Sequence, residues 1–191
     1  MITPNHWRMP ESRHRRFIKD YPFATLFGPN QVVDHLPLHL DHEGQRLIGH
    51  CAKVNALWQT CHQAAVTAVF HGPHAYIPAH AYDTQPAVPT WNYAVLHVTG
   101  RFSALDEQAT WSIIQSMHAQ FESNISQEEE QFQKNMLNGI VGFEIAIDAI
   151  VGKEKLGQHR KAVDQQAVLS HLKNSKATQA KDLVEYMDRT L

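Results

Sequence analysis

A chain of 191 residues, 43% hydrophobic and 19% charged, carries enough apolar mass for one well-filled core, a composition that excludes long disordered tracts. Its formal net charge of -2 removes any overall attraction to nucleic acid or to an anionic membrane, so contact with DNA would need a local patch. No apolar run approaches the ~18 residues of a membrane span, the N-terminus lacks the apolar core of a signal peptide, and Cys51 and Cys61 form no C-x-x-C pair, so the expected location is the cytoplasm.

Pro10 stands where a first-turn proline belongs and opens a helix over 11–20. That helix carries Arg13, Arg15 and Arg16, a basic cluster that reads either as a solvated face or as a contact surface. FATLF (23–27) reads as a strand. In QVVDHLPLHL (31–40), Leu36, Leu38 and Leu40 alternate with His35, Pro37 and His39, and Pro37 marks the strand as an edge or as irregular. RLIGHCA (46–52) is a third strand, and after Lys53 a short helix follows with Asn55 as its N-cap. AVTAVF (65–70) reads as a buried strand ended by a turn at HGPH, and alternation returns from Tyr93 to Ala104.

Asp106 caps a helix with Trp111, Ile114, Met117 and Phe121 at helical spacing, and Ser126 with Glu129 makes a capping box that opens another. GIVGFEIAIDAI (139–150) alternates as a last long strand. Two C-terminal helices follow, the second marked by Ala180, Leu183, Val184, Met187 and Leu191. The result is about six strands, too closely linked between the second and third for a parallel crossover. An antiparallel α+β fold on a small barrel is therefore expected, with peripheral helices and a helical C-terminus. Residues 1–160 are expected to form this domain, with 161–191 as a helical extension packed on it.

The fourteen histidines allow ligand sets on paper, such as His35, His39 and His42 or His71, His74 and His80, but neither H-E-x-x-H nor a cysteine pair accompanies them, so no metal site is expected. The segment GPHAYIPAHAYDTQPAVPTWNY (72–93) reads as a long loop stiffened by prolines, whose Tyr76, Tyr82, Trp91 and Tyr93 either wall a planar ligand or cover one end of the barrel. Lys53 before a capped helix start makes an anion site. Together these features point to a flat, phosphorylated, ring-bearing ligand such as FMN or pyridoxal phosphate, the second of which needs a lysine aldimine that the sequence neither marks nor excludes.

The segments GHCAKVNALW (49–58), FHGPHAYIPAHAY (70–82), VPTWNYAVLHVTGR (88–101), GIVGFEIAI (139–147) and GKEKLGQHR (152–160) occur in the order seen in one family, joined by ITPNHWRM at the N-terminus and HLPLHL (35–40). The chain resembles the PaiB-type FMN-binding negative transcriptional regulators from residue 1 to about 173. The resemblance implies a six-stranded antiparallel split β-barrel of the FMN-binding type, a homodimer with FMN near the subunit interface, and repression of transcription. The flavin neighbours it implies are His35, Pro37, His50, Lys53, Asn55, Phe70, Gly72, Trp91, Asn92 and His97. On this reading Lys53 and the backbone near Asn55 neutralise the phosphate, Trp91 shields the ring system and Asn92 bonds its polar edge. The chain departs from the family pattern at Pro78 to Tyr82, where a Ser-Pro-Ser-Trp-Tyr stretch is usual, and at Gly157 to His159, where Ser-Gln-Asn is usual.

Three roles stay open at this level. The protein is a regulator, although SHLKNSKATQAKDL (170–183) is only mildly basic and no convincing helix-turn-helix stands out; or it is an FMN-dependent oxidoreductase in which His97 supplies a proton or simply bonds within the barrel; or it is a haem-binding or haem-degrading protein that uses histidine ligands.

Overall fold

The computed structural model describes residues 1–121 and 126–190, with the side chains of 118–121 and 127–129 outside the described set. Seven strands form one sheet in the order β2-β1-β5-β6-β7-β4-β3: β1 (Phe23–Phe27), β2 (Val33–Pro37), β3 (His39–Leu40), β4 (Arg46–Ala52), β5 (Ala65–Ile77), β6 (Thr90–Ala104) and β7 (Ile140–Lys155). The helices are α1 (Glu11–Asp20), α2 (Leu57–Cys61), α3 (Glu107–Phe121), α4 (Gln127–Met136), α5 (Ala162–Lys173) and α6 (Thr178–Thr190). The antiparallel α+β expectation holds, with one strand more than expected. The extra strand arises because residues 31–40 do not form one ladder: β2 pairs with β1, whereas β3 pairs with β4. Pro37 cannot donate to a ladder, and Leu38 between the two strands bonds the Pro22 carbonyl at 2.9 Å. One short segment thus supplies both edges of the sheet.

The fifth strand also differs from expectation. Pro73 does not end β5, which continues through HGPHAYI to Ile77. The register with β1 covers only Thr67 to Phe70 of β5, so Pro73 lies beyond the β1 ladder, where a residue without an N–H is tolerated in a strand. The long aromatic loop is accordingly short, and Tyr76, Trp91 and Tyr93 stand on strands.

The chain divides into two compact units. The first comprises Met1–His14, His71–Leu96 and Val151–Leu191. It buries Met9, Ile77, Leu96, Leu156, Leu172, Leu183 and Met187, so the expected apolar stripe of α6 is core. The second comprises Arg15–Phe70 and His97–Ile150. Its centre holds Leu26, Leu38, Leu47 and Ile145 around Phe102 and Phe143, whose rings stack with centroids 4.6 Å apart. Asp106 caps α3 as expected, its carboxylate accepting the Ala109 N–H at 2.8 Å, and Ile48, Ile113 and Met117 form a small cluster with Leu105 against it. Phe121, Glu129 and Leu191, named above as packing or capping side chains, lie outside the described residues. Among the described residues no helix is long and apolar enough to cross a membrane.

Candidate functional site

Strand pleat decides which side chains share a surface, because neighbours in sequence point to opposite faces. In the first unit, Trp91 is half exposed at 52% and Tyr93 follows it on the same face, while Asn92 between them is buried at 2%. The Trp91 and Tyr93 face joins His71, Gly72, His74, Ala94 and Val95 around a cavity of about 310 Å³. His74 and Tyr76 each set a ring centroid 5.9 Å from that of Trp91, so the indole is held from two sides. The structure therefore brings Trp91 and Gly72 together and turns Asn92 away from them. The Asn92 amide nitrogen lies beside Gly157, 3.9 Å from where a Cβ there would stand. Gly157 has φ +83, a left-handed conformation that favours glycine over the Ser usual in the family.

Alternation on β7 places Lys153 and Lys155 on one face and Glu154 on the other. Lys155 donates to the Trp91 carbonyl at 3.1 Å and to the Thr90 hydroxyl, which pins the start of β6. Lys153 sits 5.7 Å from the Tyr93 ring centroid and 5.2 Å from that of Trp7. Glu154, 3% exposed, accepts from Arg13 at 2.9 and 3.0 Å and from the Tyr186 hydroxyl at 2.5 Å. The turn after β7 is held by Gln158, which accepts the Leu156 N–H at 2.9 Å and donates to the Glu154 carbonyl at 2.6 Å. Sequence reasoning passed over Trp7, Lys153 and Lys155, although the alternation of VGKEK already puts both lysines on one face.

The second unit holds the other implied neighbours. His35 on β2 faces Thr25 across the ladder, its Nδ1 3.1 Å from the Thr25 hydroxyl, and Pro37 pairs with Phe23. His50 on β4 pairs with Gly142, and close by His39 is buried at 3%. Burial, and then the neighbouring His50, lower the His39 pKa. The Lys53 backbone is fixed at both ends: its N–H bonds the Gly139 carbonyl at 2.8 Å, and its carbonyl accepts the Trp58 indole N–H at 3.0 Å. Its ammonium stays exposed. Asn55 uses both ends of its amide, the oxygen accepting the Leu57 N–H at 3.0 Å in a turn that leads into α2, whose N-cap is Ala56 and not Asn55 as expected, and the nitrogen donating to Asp34. That carboxylate also accepts the His35 N–H at 2.7 Å, so Asn55 ties β2 to the turn after β4. Phe70 is fully buried and belongs to the core, and His97 is half-buried on β6. Cys51 is buried without a disulfide, its thiol pushed up to about 11 by desolvation and by Asp34.

A flavin needs flat apolar surface for its ring system and fixed cations or N–H donors for its phosphate. The first unit offers flat aromatic surface in the Trp91 and Tyr93 face beside its cavity. That face fits the ring system of FMN; in the second unit, taken by itself, Lys53 is an exposed cation on a pinned backbone. Fold and site define a flavin-binding protein of the split-barrel class.

Residues 1–149 match the family described as "Putative FMN-binding domain", and the chain belongs to that family, for which FMN is the cofactor. Along its whole length it is similar to the Bacillus subtilis protease synthase and sporulation protein PAI 2, with 28% identity over 204 residues, covering 100% of this chain and 98% of that one. Among solved structures it is similar to the FAD and heme binding protein from Mycobacterium smegmatis, with TM-score 0.60 and 13% identity over 83% of this chain and 77% of that one. It is also similar to the flavocytochrome Anf3 from Azotobacter vinelandii, with TM-score 0.54 and 10% identity over 79% and 74% of the two chains. At these identities the structural likeness speaks for the fold.

Proposed function

We propose that this protein is an FMN-binding, PaiB-like regulator, cytoplasmic and homodimeric, in which the flavin acts as sensor or structural ligand. The observation that carries the reading is the Trp91 and Tyr93 face over a cavity of about 310 Å³, in a chain similar from end to end to PAI 2. Gly72 lets the ligand approach the β5 backbone, and Asn92 backs the wall from behind. Lys53 takes the phosphate, with His35, Pro37, His50, Asn55, the Phe70 backbone and His97 bordering the rest of the flavin. A second copy of the chain is supported by Phe23, Phe27 and Val33, which are 63%, 44% and 52% exposed and share one face of the β1–β2 ladder.

Direct DNA binding draws no support from the basic helix. Arg13 is spent on Glu154, Arg15 leans on the His42 carbonyl, and Arg16 pairs with Asp20. Regulation then runs through a partner or through the ligand state. A second reading, an FMN-dependent oxidoreductase, is favoured by the half-exposed Trp91 face, which leaves one side of the cavity open to a small reactant. A bound flavin would itself supply the electron transfer, and the chain would position it.

The test is the visible spectrum of desalted protein after addition of FMN and removal of the unbound fraction. A retained flavin band is expected; a folded protein that retains none overturns the proposal. Bleaching of the retained flavin by NAD(P)H would move the reading to the oxidoreductase, and a change of its spectrum on adding operator-length DNA would favour the regulator.

A further inference from the structure

Four basic side chains gather around the Trp7 indole in the first unit. His6 and His159 have ring centroids 4.8 and 6.3 Å from that of Trp7, and the ammonium groups of Lys153 and Lys155 lie 5.2 and 5.6 Å from it. His6 and His159 are themselves 5.9 Å apart. None of the four forms an ion pair among the described residues. Glu154, the carboxylate between the two lysines in sequence, points from the opposite face of β7 to Arg13 and Tyr186. The two lysines are only partly exposed, so their mutual repulsion is not fully screened by water. Among these two lysines and two histidines the Trp7 indole nitrogen is buried and donates to no acceptor among the described residues. Burial lowers the His159 pKa, as do the charges of Arg160, His6 and Lys155, which is the response to a locally positive potential.

We propose that Lys153, Lys155, His159 and the Trp7 N–H form a binding site for the phosphate group of a small molecule, with His6 at its rim. A phosphate supplies the missing negative charge and an acceptor for the indole, and its cation partners are already held in place. Lys155 anchors to the Trp91 carbonyl and Lys153 overlies Tyr93, so a ligand seated here continues onto the aromatic wall. With Lys53 taking the flavin phosphate in the reading above, the phosphate here belongs to a second phosphorylated ligand; assignment to FMN would instead move the flavin-phosphate role from Lys53 to this site.

The experiment titrates the full chain with inorganic pyrophosphate. Binding is read from the Trp7 indole N–H signal, identified by its loss in Trp7→Phe, and from the titration of the His159 ring. Saturable movement of the indole signal and a rise in the His159 pKa are expected, with affinity at least tenfold weaker in a Lys153→Met, Lys155→Met double variant. Lys155→Met also removes the bond to Trp91, so Lys153→Met alone carries the comparison if the double variant does not fold; among the described residues the Lys153 ammonium donates to the exposed Ile2 carbonyl. FMN retention is followed in parallel. Competition between pyrophosphate and FMN, with both lost in the variant, assigns the phosphate to FMN. Loss of pyrophosphate with FMN retained assigns it to a second ligand. Pyrophosphate binding by a wild type that retains no FMN leaves this site standing while the flavin reading falls. No saturable movement of the indole signal, or equal affinity in the folded variant, overturns the proposal.

Discussion

Replacing Glu154 by Gln keeps the shape of the buried hub that joins α1, β7 and α6 and removes its charge. In the native chain this carboxylate is 3% exposed and serves Arg13 at 2.9 Å and Tyr186 at 2.5 Å. Hydrogen bonds to a charged group contribute about 1.5–3 kcal/mol each, and stripping a partner from a fully buried ion pair costs about 3–5 kcal/mol. The Arg13 side chain is 36% exposed and can turn to water, which pulls the estimate down. Glu154→Gln should therefore destabilise the fold by about 2–3 kcal/mol, and Tyr186→Phe by about 1–2 kcal/mol. The two losses should not add. With the carboxylate gone, Tyr186→Phe should cost about 1 kcal/mol less than it does in the native background. Urea unfolding with an unchanged m-value measures all four corners of this cycle. Strict additivity within error, or a Glu154→Gln cost below about 0.5 kcal/mol, would refute the view that one carboxylate binds the last helix to the sheet.

Acid should weaken the fold before any carboxylate titrates. Burial holds the pKa of both His14 and His39 below the ordinary histidine value, partly offset at His14 by Met9, Glu11 and Glu154 and reinforced at His39 by His50. Their contribution is present in full above the unfolded value of about 6.5 and is lost as pH falls through it toward the lowered folded values, by no more than about 1.4 kcal/mol per pH unit for each. The urea midpoint should drop between about pH 7.5 and 5.5, and His14→Gln should flatten that drop; a midpoint that rises on acidification contradicts the reasoning. Gly100→Ala would set a Cβ 2.2 Å from the Ala146 carbonyl oxygen, whereas one at Gly139 meets nothing within 4 Å. The first should cost about 3 kcal/mol and the second less than about 0.5 kcal/mol by the same unfolding assay, and similar costs would mean that the β6–β7 spacing is misread. Lys53→Ala should weaken FMN binding at least tenfold by fluorescence quenching, as expected for loss of about one charged hydrogen bond, and unchanged affinity would take Lys53 out of the phosphate site.

Local signals were read well where the cause is local. Pro10 sets the start of α1 and Asp106 the start of α3, since each acts through its own backbone neighbours, while the cap expected at Asn55 falls one residue later, at Ala56. Failures came where the outcome depends on a distant strand. Pro73 reads as a breaker, yet it is tolerated because the register with β1 stops at Phe70, which periodicity in β5 cannot reveal. Leu38 reads as one more member of an alternating strand, yet the chain changes partners there. At the site the residue types were legible, but faces were neglected. Trp91 and Asn92 are adjacent and so must diverge on a strand, a conclusion that was open once WNY is placed inside β6 rather than in a loop. Phe70 is a flavin neighbour by resemblance alone, and burial makes its side chain part of the core.

The segment that supplies both edge strands has a consequence for solubility. A seven-stranded sheet ordinarily presents two borders, each with unpaired backbone groups able to recruit a strand from another molecule. Here both borders are hemmed by one stretch of chain, as β2 ends on Pro37 and β3 is only His39 and Leu40. Neither β2 nor β3 is itself a long template for a foreign strand. The same economy concentrates the risk, because a single insertion near Leu38 would loosen both borders at once and favour edge-to-edge aggregation.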